Sequence, residues 1–255
     1  RTDVSAEGPI NFELTHASFD TILAAIFRQT AYAAAVTIGP IATISFTAPD
    51  TIDDSGNGLA GLAVGQWLRI SGSTSNDGLA KIATVAAGTV TVTHKTIVTE
   101  GAGASITLTQ LPYLENGTTE ESFTLERVYT DLSSELAQFP GCKFDTMSLA
   151  VNAQDVVTGS FGVRGASEAS ITSTDSSSVT AANTHQGMNT VDHVQAVFEN
   201  GTSVAITNFT LELTNNARAL NEVGVLGASC VVFGKFQVSG TLETFYRDKA
   251  LYDKY

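Results

Sequence analysis

Basic residues are scarce: 13 Lys and Arg stand against 26 Asp and Glu, for a formal net charge of −13 at pH 7. That balance excludes a basic nucleic-acid clamp, because binding by phosphate neutralisation requires clustered cations. Cysteine is scarcer still. Cys142 and Cys230 lie far apart and inside apolar runs, which predicts two buried free thiols in a protein made in a reducing compartment, not a disulfide scaffold. No uncharged apolar run reaches the roughly 18 residues that a membrane span needs; the best candidate, 19–36, is broken by Asp20, Arg28 and Gln29. No membrane partner is expected, and no signal-peptide pattern is visible.

Recognisable chemistry is also missing. The four histidines, His16, His94, His185 and His193, neither pair at helical spacing nor meet cysteines at metal-ligand spacing, so no zinc site is expected. Gly58, Gly61 and Gly65, or Gly101 and Gly103, fit neither a dinucleotide fingerprint nor a phosphate-binding loop. There is no G-x-S-x-G elbow, and choosing a Ser/His/Asp set among so many serines is arbitrary. No catalytic, cofactor-binding or metal-ligating residue is nominated, and a non-enzyme without cofactors is expected.

What the sequence has in quantity is period-2 alternation. The central stretch 122–165 holds three strand-like runs. In the first, Phe123, Leu125, Arg127 and Tyr129 share one face while Thr124, Glu126 and Val128 share the other. The second, Phe144 to Val151, sets Met147, Leu149 and Val151 against Phe144, Thr146, Ser148 and Ala150. The third sets Val157, Phe161 and Val163 against Thr158, Ser160 and Gly162. Between the last two, residues 152–155 supply the Asn and Asp of a turn, which predicts an antiparallel hairpin.

The rest of the chain is placed around that stretch. A short strand over Ile10 to Leu14 precedes one helix, with Ser18 as its N-cap, Asp20 in the first turn and an apolar stripe of Phe19, Ile22, Leu23, Ile26 and Phe27. From about 35 to 110 the composition shifts to Gly, Ala, Thr and Ile, read as an inserted small β domain. Its strands are expected at Ile41 to Thr47, Trp67 to Gly72, Ala80 to Val85, Thr89 to Thr93 and Ala104 to Leu108. A tight turn is expected at Asn76-Asp77-Gly78, and Trp67, the only tryptophan, belongs in the core of that domain more readily than on an exposed platform. Residues 166–189, rich in Ser, Thr, Ala and Asn, read as a long loop, a feature that in compact domains tends to be functional or disordered. Strands follow at Val191 to Glu199, Ser203 to Thr214, Cys230 to Gly240 and Thr241 to Arg247.

The succession SFTLER-Y-TDL, FPGCKFDTMSLAV and VTGSFGVRG resembles the tail tube proteins of long-tailed, siphovirus-like bacteriophages. PINFELTHASFDTILAAIF near the start and Phe209 to Tyr246 are similar to the same family, so the resemblance covers about two thirds of the chain. It implies a mainly β fold: a β-sandwich with one packed α-helix over 1–34 and 111–255, with 35–110 as an exterior β decoration. It also implies hexameric rings that stack helically into a tube, with DNA passing through without specific binding. The implied partners are further copies of the chain, a tape measure protein and tail-tip and terminator proteins. The implied location is the virion tail, assembled in host cytoplasm.

Charge supports the same picture. Between Arg164 and Arg218 there is no Lys or Arg, whereas Glu168, Asp175, Asp192, Glu199 and Glu212 fall there. A wall of acid and hydroxyl groups repels a polyanion within about one Debye length, roughly 8 Å at physiological salt. The lumen-facing candidates are Thr158, Ser160, Thr210, Glu212 and Thr214; the ring-stacking candidates are Thr172, Ser176 and Thr180. The alternative is a surface adhesin binding carbohydrate through Trp67 and the Asn76 turn.

Overall fold

The computed structural model describes residues 5–245, apart from 130, 132–134, 177, 195–196 and 200–201. The chain is mainly β, with a single α-helix among the described residues. It divides into two units, one drawn from 1–31, 115–195 and 205–255, the other from 32–114 and 196–204.

In chain order the first unit opens with β1 (Ala6–Glu13) and α1 (Asp20–Ile26). The second unit carries β2 (Val36–Ile41), β3 (Ile44–Thr47), β4 (Thr51–Asp54), β5 (Trp67–Ser71), β6 (Gly78–Val85), β7 (Thr89–Thr93) and β8 (Ile106–Gln110). Then come β9 (Phe123–Val128), β10 (Leu136–Asn152), β11 (Thr158–Gly165), β12 (Ala169–Ile171), β13 (Val197–Glu199) and β14 (Thr202–Val204). The last four strands are β15 (Ile206–Thr214), β16 (Arg218–Asn221), β17 (Ala228–Val232) and β18 (Gln237–Thr244).

The first unit is built on β10, whose 17 residues outlast any one partner. Its second half sits in a sheet of order β1-β11-β10-β15-β18, every pair antiparallel, and its first half pairs with β9 and β12. The sequence reading starts this strand at Phe144, downstream of Pro140 and Gly141. In the structure the register against β9 slips between Phe139 and Cys142. Pro140 therefore needs no ladder N–H and Gly141 takes φ 66°, the bulge geometry that lets both stay in a strand. A second slip between Phe144 and Thr146 overturns the expected facing of Phe144. With Asp145 bulged out, Phe144 and Met147 are both buried in one core despite their odd spacing.

That core lies on one face of the sheet. Phe12, Met147, Phe161 and Leu213 point into it, with Phe144, Val163 and Ile26; Phe12 stacks on Phe161 at 4.2 Å between centroids. Burying each such side chain contributes about 1.5–3 kcal/mol. The predicted stripe of α1 packs here, with Ile26 fully buried and Phe19, Ile22, Leu23 and Phe27 partly so. Ser18 does not cap the helix. The N-cap is Phe19, without a side-chain bond, and the Ser18 hydroxyl instead accepts from Thr15 Oγ1. Gly159 is required by close approach, since a Cβ there would lie 2.5 Å from the Phe12 ring and 2.5 Å from the Ser148 carbonyl oxygen.

The second unit is an antiparallel sheet of order β2-β8-β5-β6-β7-β4-β3, curled around Ile44, Phe46, Ile52, Leu68, Ile70, Ile82, Val92, Ile106 and Leu108. The expected strand 41–47 is interrupted between β2 and β3, and β4 is a strand the sequence hides behind its two aspartates. Asp54 ends that strand buried. Burial pushes its carboxyl up, but the Thr43 hydroxyl and the Gly58 and Gly56 amides together outweigh it and hold the group below the ordinary carboxylate range. Trp67 is half-buried on the side opposite Leu68 and Ile70, outside the apolar cluster, so its expected core position is not what the fold adopts. The cysteines are free, but only Cys142 is buried; Cys230 is exposed on β17.

Candidate functional site

The alternation that buries one face of the β1-β11-β10-β15-β18 sheet turns a polar set to the other, and the registers align it in rows. Asn11, Ser160, Ser148, Glu212 and Ser239 are successive cross-strand partners. So are Glu13, Thr158, Ala150, Thr210 and Thr241, and on the other side Pro9, Gly162, Thr146, Thr214 and Gln237. These three rows carry two carboxylates, seven Ser, Thr or Asn side chains outside the edge strand β18, and no cation. The Ser239 hydroxyl donates to Glu212 Oε2 at 3.5 Å and the Thr241 amide to Thr210 Oγ1 at 3.2 Å. The next row brings two cations to the border of the face, Arg164 and its cross-strand partner Lys143; Glu7 pairs with Arg164 at 3.5 Å and Glu120 with Lys143.

All five residues nominated for a lumen, Thr158, Ser160, Thr210, Glu212 and Thr214, therefore fall on a single face. Sequence reasoning missed Asn11 and Glu13, legible in their alternation with Ile10, Phe12 and Leu14. It also missed Ser239 and Thr241, whose strand is too weakly apolar to reveal which side faces where.

Both edges of this sheet are open among the described residues: β1 pairs only with β11 and β18 only with β15. Strand β18 is exposed at all eight positions, leaving Val238 at 57% and Leu242 at 47% of full exposure. At the far edge Ile10 is 40% exposed. An edge of this kind is a template for another strand.

The stretch 166–189 is less structureless than its composition suggests. It contains β12, and Glu126 on β9 accepts from the Thr174 hydroxyl at 2.5 Å and the Asp175 amide at 3.0 Å. The Thr174 hydroxyl, the Asp175 amide and the Gln138 amide hold the Glu126 carboxyl below its ordinary range. Gln138 Nε2 also donates to Asp175 Oδ2 at 2.6 Å. Farther on, Asn183 Nδ2 donates to the His16 carbonyl at 2.6 Å, and Gly187 and Asn189 bridge to Thr15 and Val156. Thr172, Ser176 and Thr180 are all exposed, and the structure does not bring them to the polar sheet face.

Among the described residues no group of three His, Cys, Asp or Glu is placed to hold a metal ion. No helix among them is long and apolar enough to cross a membrane.

A mainly β chain presenting a broad face of acids and hydroxyls between two open sheet edges has the features of a self-associating structural protein. The family model for phage tail tube proteins matches residues 1–255, the whole chain, and the protein belongs to that family. The match runs through 35–110, where the motifs quoted above carry no resemblance. No curated protein matches the chain. Family membership makes it a structural component of the virion tail that assembles with its own kind into the tail tube.

Proposed function

We propose that the polar face of the β1-β11-β10-β15-β18 sheet lines the inside of the tube and acts as a passive conduit wall for DNA. The observation that carries this reading is the coincidence of cation-free polar rows with open edges on the same sheet. Rings of six subunits close when β18 of one copy adds to β1 of the next, so the polar rows continue around the ring and both template edges disappear. A wide lumen requires many strands, hence several chains. Glu13 and Glu212, repeated in every subunit, keep phosphate from adhering; a wall that attracted DNA would add its grip ring by ring.

In this reading residues 172–182 reach the neighbouring ring, the 35–110 insert decorates the exterior, and tape measure and tail-tip or terminator proteins set length and ends. Assembly takes place in host cytoplasm and ejection through the finished tube. Negative-stain microscopy of the purified protein across a concentration series tests the self-assembly, with hollow tubes expected. Glu212→Lys with Glu13→Lys should leave tubes intact and slow DNA ejection from virions; unchanged ejection kinetics would remove the lumen assignment.

A further inference from the structure

The second unit gathers its few cations. Residues 32–114 contain three Lys or Arg, namely Arg69, Lys81 and Lys95, and all three gather around β5 and β6. Because Leu68, Ile70, Ala80 and Ile82 point into the core, Trp67, Arg69, Leu79 and Lys81 share the outer face. Trp67 is the cross-strand partner of Lys81, and Arg69 of Leu79. His94 lies edge-on to Trp67 at 5.3 Å, and Lys95 Nζ donates to the Asp77 carbonyl at 3.0 Å, at the start of β6. Neither Arg69 nor Lys81 has a carboxylate partner among the described residues. Of the acids, Asp53 and Asp54 sit on β4, beyond β7, with Asp53 occupied by the Thr47 and Thr89 hydroxyls; Asp77 and Glu100 lie at the turn before β6 and are engaged there, Asp77 by the Ser73 amide and hydroxyl and Glu100 by the Thr74 and Ser75 amides and the Asn76 side chain.

We propose that this face binds an acidic polysaccharide, with a sugar ring against Trp67 and its carboxylate or sulfate groups on Arg69 and Lys81. Two unpaired cations one strand spacing or one residue pair from an indole suit a chain that alternates an apolar ring face with an anionic substituent. Leu79, 42% exposed, extends the apolar floor. Nucleic acid fits poorly: its affinity grows with the number of phosphates neutralised, and three cations neutralise few. Asn76 takes no part. It is fully buried, with its side chain satisfied by the Val98 backbone and Glu100.

Trp67 is the chain's only tryptophan, so the fluorescence of the full-length protein reports this face directly. Titration with polygalacturonate at low salt should give a saturable change that disappears as salt is raised, whereas neutral dextran gives none. Arg69→Glu with Lys81→Glu should weaken the response about tenfold, and an unchanged far-ultraviolet circular dichroism spectrum of the unliganded variant certifies its fold. Absence of a change with polygalacturonate, or equal titrations for wild type and variant, would overturn the site. An equal response to single-stranded DNA would overturn the choice of ligand class.

Discussion

Replacing Asn215 by Ala should loosen the first unit at the point where three segments meet. The residue is fully buried. Its Oδ1 accepts from Arg28 Nε at 2.8 Å, and its Nδ2 donates to the Ile26 carbonyl at 3.0 Å and to that of Phe144 at 3.5 Å. Arg28 in turn donates to the Gly234 carbonyl at 2.7 Å and lies over the Phe233 ring at 5.1 Å. One amide thus ties the end of α1 to the bulge in β10 and to the segment entering β18. Alanine removes a charge-assisted bond, about 1.5–3 kcal/mol, and leaves the Ile26 carbonyl unpaired, about 1–3 kcal/mol. Arg28 keeps its bond to Gly234 and is only part-buried, so the expected total is about 3 kcal/mol, toward the upper part of the ordinary range for single substitutions.

A urea titration followed by circular dichroism should show a lower midpoint. Trp67 fluorescence, which reports the 32–114 unit, should not move. In a double-mutant cycle with Arg28→Ala the two losses should fall short of additivity by about 1–2 kcal/mol. A loss below about 1 kcal/mol, or strict additivity, would refute the network.

Further outcomes follow from other particulars. Asp54 titrates lower in the folded protein than in the unfolded chain, so its contribution is present above the unfolded pKa, about 3.9, and is lost as pH falls through the folded value. Unfolding of the 32–114 unit, read by Trp67, should therefore become easier below about pH 4, and less steeply so in Asp54→Asn; identical slopes would contradict this. Deleting Thr172 to Ala182 removes exposed contacts to Glu126 and Gln138 among the described residues and should leave the fold intact while blocking ring stacking, so tubes of normal length would count against the stacking role. Excising Val36 to Thr109 with a short linker should spare assembly, because the Ala33 amide meets the Tyr113 carbonyl at 2.9 Å and holds the two ends together; failure to form tubes would show that the insert has a part in the wall.

The strands that alternate cleanly were legible because one face of each is buried and the other wet. The run 157–163 and the run 206–214 are such cases, and they are where the nominated polar residues sit. Legibility failed where backbone irregularity shifts the period. The bulge at Asp145 puts Phe144 and Met147 on the same side, and the bulge at Pro140-Gly141 lets β10 run through a proline. It failed again where side chains serve the backbone: Asp53 and Asp54 look like turn residues, yet the hydroxyls and amides that bond them stabilise a strand end. Trp67 looked like core by hydrophobicity alone, but its neighbours Leu68 and Ile70 take the inward positions, and alternation leaves it outside.

Taken alone, the sequence determined a mainly β, strongly acidic chain, its single helix with its apolar stripe, the compositional change near residue 35, and the resemblance to tail tube proteins. These are local or summed properties, set by residue order and charge count. Tertiary structure decided which strands become neighbours, that Asn11 and Glu13 from the start of the chain join Glu212 in one polar face, that β1 and β18 are open edges among the described residues, and that Arg69 and Lys81 flank Trp67 on one face. Each of these depends on pairing between segments far apart in sequence, and pairing is chosen by the burial of a shared core, which no single segment can specify.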